Sequence, residues 1–241
     1  MLVTPDITRP EPALIEGLRN VGTATISGEL FRLGIRNPHL AGLTTWRPGS
    51  SVVGPALTLQ WMPQREDPSL TTEYAGQDMN PARHVLYHTQ PGDIVVVDGR
   101  GNLASGVFGE MMLTYFKAKG GVAAIIDGCI RDWPHDDPIG LPLWMRGVTP
   151  NHGWQNGIYP FAVNVPIACA GVLIMPGDII VADDDGAVVV PVKLAAEVAR
   201  KTAEKNAWED FVRIKLAAGG DLRKYYPMNA EARAEYEAWR K

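Results

Sequence analysis

The sequence has little cysteine and no long apolar run. Its 241 residues include only two cysteines, Cys129 and Cys169. Two cysteines cannot build the disulfide framework of a secreted domain, so we expect a reducing compartment. No apolar run reaches the roughly 20 residues that a membrane-spanning helix needs. The first residues also lack the layout of a secretory signal peptide. We therefore expect a cytoplasmic protein that has no membrane partner.

The sequence also has no excess of positive charge. Its 23 Lys and Arg against 27 Asp and Glu give a formal net charge of −4. This balance provides no electrostatic footprint for nucleic acid, so we expect no nucleic-acid partner. Walker loops, nucleophile elbows and CxxC motifs are absent, which argues against the enzyme classes that those motifs identify. The remaining composition, 46% hydrophobic and 21% charged, is typical of a folded globular chain.

Glycine and proline are unevenly distributed. Of 25 Gly and 19 Pro, only Gly219, Gly220 and Pro227 follow residue 192. The tail after residue 192 is rich in charge, and its apolar residues recur at helical spacing. The sequence therefore predicts a domain over residues 1–192 and a charged helical extension over 193–241. We expect the extension to pack on the domain or on a neighbouring subunit.

Within residues 1–192, short apolar runs alternate with helical stretches. The runs are rich in β-branched residues and too short for helices, so they predict strands; they cover 94–97, 122–126, 172–175, 179–181 and 187–190. Helices are predicted over 12–20, 27–33 and 109–119. This alternation indicates an α/β or layered α+β fold. The motif PGDIVVVD from Pro91 recurs as PGDIIVAD from Pro176, which predicts two similar turn-and-strand units.

The most informative stretch for chemistry is the end of the strand predicted at 122–126. Asp127, Arg131 and Asp132 follow this strand closely, and ligands of α/β sheets bind beyond the carboxyl ends of strands. Asp132 is a suitable oxygen ligand for Mg²⁺ or Mn²⁺, and Arg131 can bind a substrate carboxylate or an oxyanion. A structural Arg–Asp ion pair that caps a loop is the alternative.

A second candidate lies at the start of the predicted helix 109–119. Its first residues are Gly109, Glu110, Met111 and Met112. Unpaired backbone N–H groups at a helix start bind anions, and the small residues before this helix permit close approach. The alternative is that the glycines only allow tight packing.

Other candidates are weaker. His84 and His88 have the i, i+4 spacing of a zinc pair, but without an acidic partner nearby we favour a structural role. His135, Asp136 and Asp137 could supply a base behind the metal ligand or orient waters; a solvated loop is the alternative. The run 183–186 is interpreted as a hairpin turn, and Cys129 as a small apolar residue.

Taken together, the motifs resemble the family of 4-hydroxy-4-methyl-2-oxoglutarate/4-carboxy-4-hydroxy-2-oxoadipate aldolases, whose fold also occurs in regulators of ribonuclease activity. The resemblance covers roughly residues 20–192, and its motifs occur in the expected order. They are PGDIVVVDGRG from Pro91, GEMM from Gly109, AKGGVAAIIDGCIRD from Ala118 and PGDIIVADDDGAVVVP ending at Pro191.

The resemblance implies a swivelling β/β/α-type sandwich that assembles as homotrimers or homohexamers, with active sites at subunit boundaries. It implies a divalent-metal-dependent lyase that cleaves 4-hydroxy-2-oxo acids to pyruvate, often with oxaloacetate decarboxylation. By the same resemblance, Asp132 would hold the Mg²⁺ or Mn²⁺, Arg131 would contact the 2-oxo acid, and the amides of residues 109–112 would bind its carboxylate. A non-catalytic protein-binding regulator is the alternative function, and another metal-dependent reaction of 2-oxo acids is a third.

The sequence departs from the family's pattern in three regions. Gly28 stands where many members carry Asp, so any role of that carboxylate is absent or passes to Glu29. The segment 63–67 replaces the usual Pro-Gly-Asp-Asn, and an enlarged segment over 68–81 follows it. The tail is longer than in short members, so one of its carboxylates could complete a neighbour's site. The changed segment 63–81 could reshape the pocket for the distal part of the substrate.

Overall fold

The computed structural model describes residues 3–65, 67, 79–133 and 139–240. Its helices there are Pro12–Leu18 (α1), Thr23–Arg32 (α2), Pro81–Tyr87 (α3), Glu110–Ala118 (α4), Val192–Ala217 (α5), Leu222–Tyr225 (α6) and Ala230–Trp239 (α7). Its strands are Thr44–Thr45 (β1), Val52–Pro63 (β2), Ile94–Gly106 (β3), Ala123–Ile130 (β4), Leu143–Val148 (β5), Ile158–Val163 (β6), Ile167–Cys169 (β7), Val172–Ile174 (β8), Ile179–Asp183 (β9) and Gly186–Val190 (β10). The predicted α/β class is confirmed.

The main sheet is mixed, with the strand order β1-β5-β4-β3-β2-β9-β10. Strands β2 to β5 pair in parallel, so their carboxyl ends meet at one edge. The long strand β2 has two antiparallel partners: its first residues pair with β9 and its last residues pair with β6. The first part of β2 also passes close to the turn that precedes β3. A Cβ on Gly54 would lie 2.2 Å from the carbonyl oxygen of Gly92, so only glycine fits there.

Alternate residues of the central strands point to opposite faces of the sheet. In β3, Val95 and Val97 pack beneath α3 and α4, whereas Ile94 and Val96 pack towards β7 to β10. Coverage of both faces explains why these runs are continuously apolar. A third core lies between the outer face of β9 and β10 and the helices α1, α2 and α5. The result is the layered sandwich that the sequence predicts.

The two PGD motifs form equivalent turns, as the repeat predicts. Gly92 and Gly177 have φ of +94° and +88°, the left-handed backbone that a type II turn needs. The carboxylate after each glycine accepts a hydrogen bond from a backbone N–H three residues earlier, Asp93 from Gln90 at 2.8 Å and Asp178 from Met175 at 2.9 Å. These bonds fix the start of β3 and of β9.

The extension after residue 192 is helical, and α5 is its longest element. The first half of α5 buries Ala195 and Val198 against α1 and α2. Its second half buries Phe211 and Val212 against α6 and α7, in a separate small core. None of the helices in the described ranges is long and apolar enough to cross a membrane.

Gly28 lies inside α2, where glycine lowers helix stability. A Cβ at this position would meet nothing within 4 Å. We therefore expect Gly28→Ala to raise the free energy of unfolding by about 0.5–1 kcal/mol, because alanine loses less backbone entropy in a helix. Urea unfolding of the two proteins measures the difference. A loss of stability would contradict this description of α2.

Candidate functional site

A cleft of about 520 Å³ opens beyond the carboxyl ends of β3 and β4. Gly106 ends β3 and pairs with Cys129 near the end of β4, so the residues after both strands meet at the same edge. The helix α4 begins shortly after β3 and brings its first turn to the cleft. The lining residues are Trp61, Asn80, Ala82, Arg83, Gly106, Val107, Phe108, Gly109, Met111, Met112, Arg131, Asp132, His152, Gly153 and Trp154.

Most of the site residues suggested by the sequence lie in this one cleft. Gly109, Met111, Met112, Arg131 and Asp132 all line it. Glu110 does not; it lines a separate, shallower groove together with Lys117 and Ile139. Glu110 is therefore the one residue of this set that lies outside the cleft lining.

Arg131 and Asp132 form an ion pair that faces the cleft. Arg131 Nε lies 3.3 Å from Asp132 Oδ2, and the two side chains are 44% and 47% exposed. The backbone here is fixed, because the Arg131 N–H donates to the carbonyl oxygen of Phe108 at 3.0 Å. The ion pair named as the alternative is thus present, but both groups remain open to a ligand.

Gly109 makes room for this pair. A Cβ on Gly109 would lie 2.8 Å from Asp132 Oδ2 and 3.1 Å from Arg131 Nε. Gly106 is equally constrained, since its Cβ would lie 2.7 Å from the backbone nitrogen of Arg131. The two glycines therefore allow the carboxylate and the guanidinium to approach the start of α4. Tight packing, the alternative role for these glycines, would not require two charged side chains at this place.

Asp132 adopts a left-handed backbone with φ of +60°. This region is unfavourable for most residues, although Asp and Asn tolerate it better than others. Such strain concentrates at functional sites. At Asp132 it accompanies the turn that follows β4 and brings the carboxylate next to Gly109.

The start of α4 offers three unpaired backbone donors. The N–H groups of Gly109, Glu110 and Met111 have no hydrogen-bond acceptor in the described part of the chain. Met112 differs, because its N–H donates to the carbonyl oxygen of Gly109 at 3.1 Å. The expectation of four amides at 109–112 is therefore too broad, since Met112 already has a partner.

Several residues of the cleft were missed by the sequence analysis. Asn80 and Arg83 come from the start of α3, where the Asn80 side chain caps the helix by accepting from the Ala82 N–H at 2.9 Å. Trp61 comes from β2, and His152 from a loop whose backbone pairs with Gly106. Asn80 before Pro81 is a helix-start signal, but none of these residues belongs to a pattern that indicates a ligand.

The donor set suits a hard cation that keeps most of its water. Asp132 is the one carboxylate among the described residues that line the cleft, and these residues contain no group of three His, Cys, Asp or Glu that could hold a metal. Mg²⁺ is commonly bound through one or two carboxylates and several waters, whereas a structural zinc site needs four protein ligands. The space beside Gly109, which a Cβ would fill, is compatible with a Mg²⁺ site of this kind.

His135, Asp136 and Asp137 lie outside the described residues, as does most of the segment 68–81.

The other candidates have structural surroundings. His88 binds the N-terminal segment, with its Nε2 2.8 Å from Thr4 Oγ1. Asp183 accepts from the backbone N–H of Thr23 at 2.8 Å and ends the hairpin strand β9. Cys129 is fully buried, and burial raises the pKa of its thiol to about 11. These contacts are consistent with the interpretation of 183–186 as a hairpin turn and of Cys129 as a small apolar residue.

Glu29 does not replace a carboxylate in the cleft. It is buried in α2 and forms an ion pair with Arg32 of the same helix. Gly28 and Glu29 are absent from the cleft lining. The suggestion that a role passes from position 28 to Glu29 therefore finds no support within this chain.

A buried polar cluster lies on the opposite face of the sheet, outside the cleft. Asp127 pairs with Arg146 and accepts from the Ala170 N–H, and Asp98 accepts from the Arg100 N–H. Burial raises the pKa of Asp98 above its usual value, although backbone N–H groups lower it in part. The cluster joins β3, β4 and β5 to the loop between β7 and β8.

The raised pKa of Asp98 gives a pH dependence of stability. The folded state binds the Asp98 proton more readily than the unfolded state, so this group favours folding increasingly as the pH falls through its raised pKa. We expect Asp98→Asn to remove this contribution. Urea unfolding at pH 7.5 and at about pH 4, close to the ordinary pKa of Asp, should show a smaller gain, or a larger loss, on acidification for Asp98→Asn than for wild type. Equal changes in both proteins would contradict the assignment.

Comparison with known proteins gives consistent matches. The sequence model of the RraA-like family, described as Aldolase/RraA, matches residues 23–189. A protein of Halalkalibacterium halodurans, provisionally named 4-hydroxy-4-methyl-2-oxoglutarate aldolase, is 34% identical over 140 residues, which are 58% of this chain and 66% of that protein. Protein DlpA of Legionella pneumophila is 28% identical over 214 residues, which are 88% of this chain and 33% of DlpA. The match thus spans less than two thirds of either relative.

A solved structure extends the similarity to most of the fold. RraAS2 of Streptomyces coelicolor is 44% identical, with a TM-score of 0.77 and coverage of 86% of this chain and 98% of that one. It is described as an unusual member of the RNase ES inhibitor RraA protein family. The family match begins at α2 and ends in β10, so it includes all but the last residue of the main sheet and all the residues that line the cleft.

Proposed function

This chain belongs to the RraA-like family, and from that premise we propose that it is a divalent-metal-dependent lyase that cleaves a 4-hydroxy-2-oxo acid to pyruvate. The observation that carries the proposal is the close approach of Asp132 and Arg131 to Gly109 at the start of α4. A carboxylate, a guanidinium and free backbone N–H groups thereby line one cleft. This is the set of groups that binding and cleaving a 2-oxo acid requires.

The start of α4 binds the substrate's 1-carboxylate in this proposal. The free N–H groups of Glu110 and Met111 donate to it, and the helix dipole favours the negative charge. The absence of a side chain on Gly109 lets the carboxylate approach the backbone. This contact orients the 2-oxo group towards Arg131 and Asp132.

Arg131 stabilises the charge that develops when the C3–C4 bond breaks. The electron pair of that bond moves to C3 and is delocalised onto the 2-oxo oxygen as an enolate. A fixed guanidinium beside this oxygen stabilises the transition state more than the ground state. Asp132 keeps the Arg131 side chain oriented through its ion pair.

Asp132 would also hold the Mg²⁺ or Mn²⁺, with water in the remaining positions. When bound, the ion supplies Lewis-acid polarisation of the 2-oxo group and neutralises developing negative charge. The C4 hydroxyl loses its proton as the bond breaks, and His152, or a water held between Asp132 and Arg131, is the group in the cleft that can accept it. The C4 fragment then leaves as a carbonyl compound. The same group returns the proton to C3 of the enolate, which leaves as pyruvate.

The same cleft would support oxaloacetate decarboxylation. Loss of CO₂ from oxaloacetate leaves the pyruvate enolate, so the charge falls on the same oxygen and Arg131 stabilises it in the same way. We propose this decarboxylation as a side activity.

We also propose that the whole protein is a homotrimer or homohexamer. Such an assembly would place residues of a neighbouring subunit near the open cleft.

Pyruvate release from a panel of 4-hydroxy-2-oxo acids tests the proposal. Wild-type protein is freed of metal with EDTA, restored with Mg²⁺ or Mn²⁺, and assayed with lactate dehydrogenase and NADH. We expect release from at least one member of the panel and from oxaloacetate, lost with EDTA and regained with metal. Release that EDTA leaves unchanged would contradict a metal-dependent lyase.

A non-catalytic regulator that binds another protein is the second candidate. The 44% identity to RraAS2, a member of an RNase inhibitor family by its description, favours it. The open ion pair of Arg131 and Asp132 argues against it, because a binding protein has no need of an accessible carboxylate beside a helix start. A stoichiometric protein complex, together with no pyruvate release from the whole panel, would support the regulator.

A further inference from the structure

Trp61 is a buried tryptophan of the cleft whose indole N–H has no hydrogen-bond acceptor. Its side chain is 1% exposed, and the residues that the structure describes offer no partner to Nε1. A buried donor without an acceptor is unfavourable and needs an explanation. Because Trp61 lines the cleft, a ligand bound there can supply the missing acceptor.

The place of Trp61 in β2 brings it to the reaction groups. Leu57, Leu59 and Trp61 alternate along the strand and belong to the core beneath α3 and α4. Trp61 is the last buried residue of β2, which runs parallel to β3, so it lies at the edge where β3 and β4 end. Leu57 and Leu59 fill this core without any polar side-chain atom. A packing role alone would therefore require no N–H group at position 61.

The loop that carries His152 is shaped around the indole. A Cβ on Gly153 would lie 2.7 Å from Trp61 Cη2, so this approach requires glycine. The loop is fixed to β3, since the side-chain amide of Asn151 donates to the carbonyl oxygen of Ala104 at 2.9 Å. His152 precedes Gly153 and also lines the cleft. A donor, the indole N–H, and an acceptor, the neutral ring of His152, therefore border the same part of the cleft.

A hydroxyl group fits a place between a donor and an acceptor. Its oxygen accepts one hydrogen bond while its O–H donates another, whereas a carboxylate uses only the donor. A 4-hydroxy-2-oxo acid carries such a hydroxyl at C4, the carbon whose bond to C3 breaks. With the 2-oxo group held at Arg131, the C4 hydroxyl is the group of the substrate that matches Trp61 and His152.

We propose that Trp61 is a catalytic residue whose Nε1–H donates a hydrogen bond to the C4 oxygen of the substrate. This inference rests on the proposed function and adds a group at the second reacting carbon. As the C4 hydroxyl gives its proton to His152 or to water, negative charge develops on the oxygen. An oxygen electron pair then forms the C4=O bond, and the C3–C4 pair passes to the enolate. The indole N–H stabilises the charged oxygen and keeps its own proton throughout.

The same hydrogen bond favours aldol cleavage over decarboxylation. Oxaloacetate has a carboxylate at C4 in place of the hydroxyl, and this carboxylate leaves as neutral CO₂. A hydrogen bond from Trp61 to it stabilises the ground state more than the transition state, because negative charge leaves these oxygens as the bond breaks. Trp61 should therefore accelerate one reaction of the cleft and not the other.

Trp61→Phe tests the inference, because phenylalanine keeps an aromatic ring and removes the N–H. At saturating Mg²⁺, kcat for the best 4-hydroxy-2-oxo acid should fall about 10- to 100-fold. The kcat for oxaloacetate, corrected for spontaneous decarboxylation, should stay the same or rise. An equal fall in both rates would show that the variant only disturbs the shape of the cleft. That result, or no fall in either rate, would overturn the role of Trp61.

The matched control is Trp144→Phe. Trp144 is also fully buried, but it lies in the core on the opposite face of the sheet, and its Nε1 donates to the carbonyl oxygen of Asp183 at 2.8 Å. Trp144→Phe should keep the wild-type ratio of the two rates. In urea unfolding it should lose more stability than Trp61→Phe, because it alone loses a hydrogen bond. A larger loss in Trp61→Phe would show that the Trp61 N–H has an acceptor within the chain.

Nuclear magnetic resonance of the indole N–H groups separates this inference from the proposed function. Of the seven tryptophan signals, that of Trp61 is identified by its loss in Trp61→Phe. In EDTA, 4-hydroxy-2-oxopentanoate should move this signal downfield, and 2-oxopentanoate, which lacks the hydroxyl, should not. This result supports the inference even if wild-type protein cleaves no acid of the panel, in which case only the lyase proposal fails. The same shift with both ligands, or none with either, would overturn the inference and leave a lyase intact.

Discussion

Replacement of Asp132 by asparagine is expected to lower metal-dependent pyruvate release at least about 100-fold. Asparagine keeps the size of the side chain and tolerates the left-handed backbone at φ +60°, so the fold should persist. It removes the negative charge that would hold the cation, and Lewis-acid stabilisation is worth several kcal/mol of barrier. Coupled assays at saturating Mg²⁺ measure the loss.

The matched control for Asp132→Asn is Asp210→Asn. Asp210 is an exposed carboxylate of α5 that also pairs with an arginine three residues away, Arg213. This variant should keep wild-type turnover, and both variants should unfold at nearly the wild-type urea concentration. If Asp132→Asn retained full metal-dependent activity, Asp132 would not be the metal anchor.

Gly109→Ala is expected to lower kcat/KM about 10- to 100-fold while the chain remains folded. The backbone of Gly109 has φ −117° and ψ 173°, which alanine adopts without strain. The added Cβ, however, would lie 2.8 Å from Asp132 Oδ2 and 3.1 Å from Arg131 Nε. Both side chains must then move away from the start of α4, and small displacements of catalytic groups cost this much rate. Steady-state kinetics and urea unfolding measure the two effects.

Gly22→Ala separates the effect on the cleft from the effect on helix capping. Gly22 is the N-cap of α2, as Gly109 is of α4, and alanine is a poor N-cap that costs about 1 kcal/mol. The nearest atom to a Cβ on Gly22 is Asp183 Oδ2 at 3.8 Å, which is ordinary contact. Gly22→Ala should lose similar stability and keep its activity. Unchanged kcat/KM in Gly109→Ala would show that the close approach has no role in turnover.

Much of the fold could be predicted because its strands are short apolar runs between turns. All five predicted runs overlap strands, and both PGD motifs form the predicted turns. Strands β2 and β6 were not predicted. β2 contains Gly54 and Pro55 near its start, and β6 contains Pro160, so both carry residues that usually break strands. Their places are fixed by pairing with distant strands, which no local pattern shows.

The site was predictable only where neighbouring strand ends supply it. Arg131 and Asp132 follow one predicted strand and Gly109 begins a predicted helix, so the parallel-sheet rule brings them to one edge. Arg83, Trp61 and His152 reach the same cleft from three other elements. Their side chains carry no spacing that marks a ligand, and only the folded chain shows that they are neighbours.

Binding of Mn²⁺, followed by electron paramagnetic resonance, tests the central claim most directly. Wild-type protein and Asp132→Asn are titrated with Mn²⁺, with and without oxalate, a planar dianion that resembles the pyruvate enolate. The account predicts one Mn²⁺ per wild-type chain, a spectrum that oxalate changes, and no such binding in Asp132→Asn. The same binding and the same response to oxalate in both proteins would contradict it.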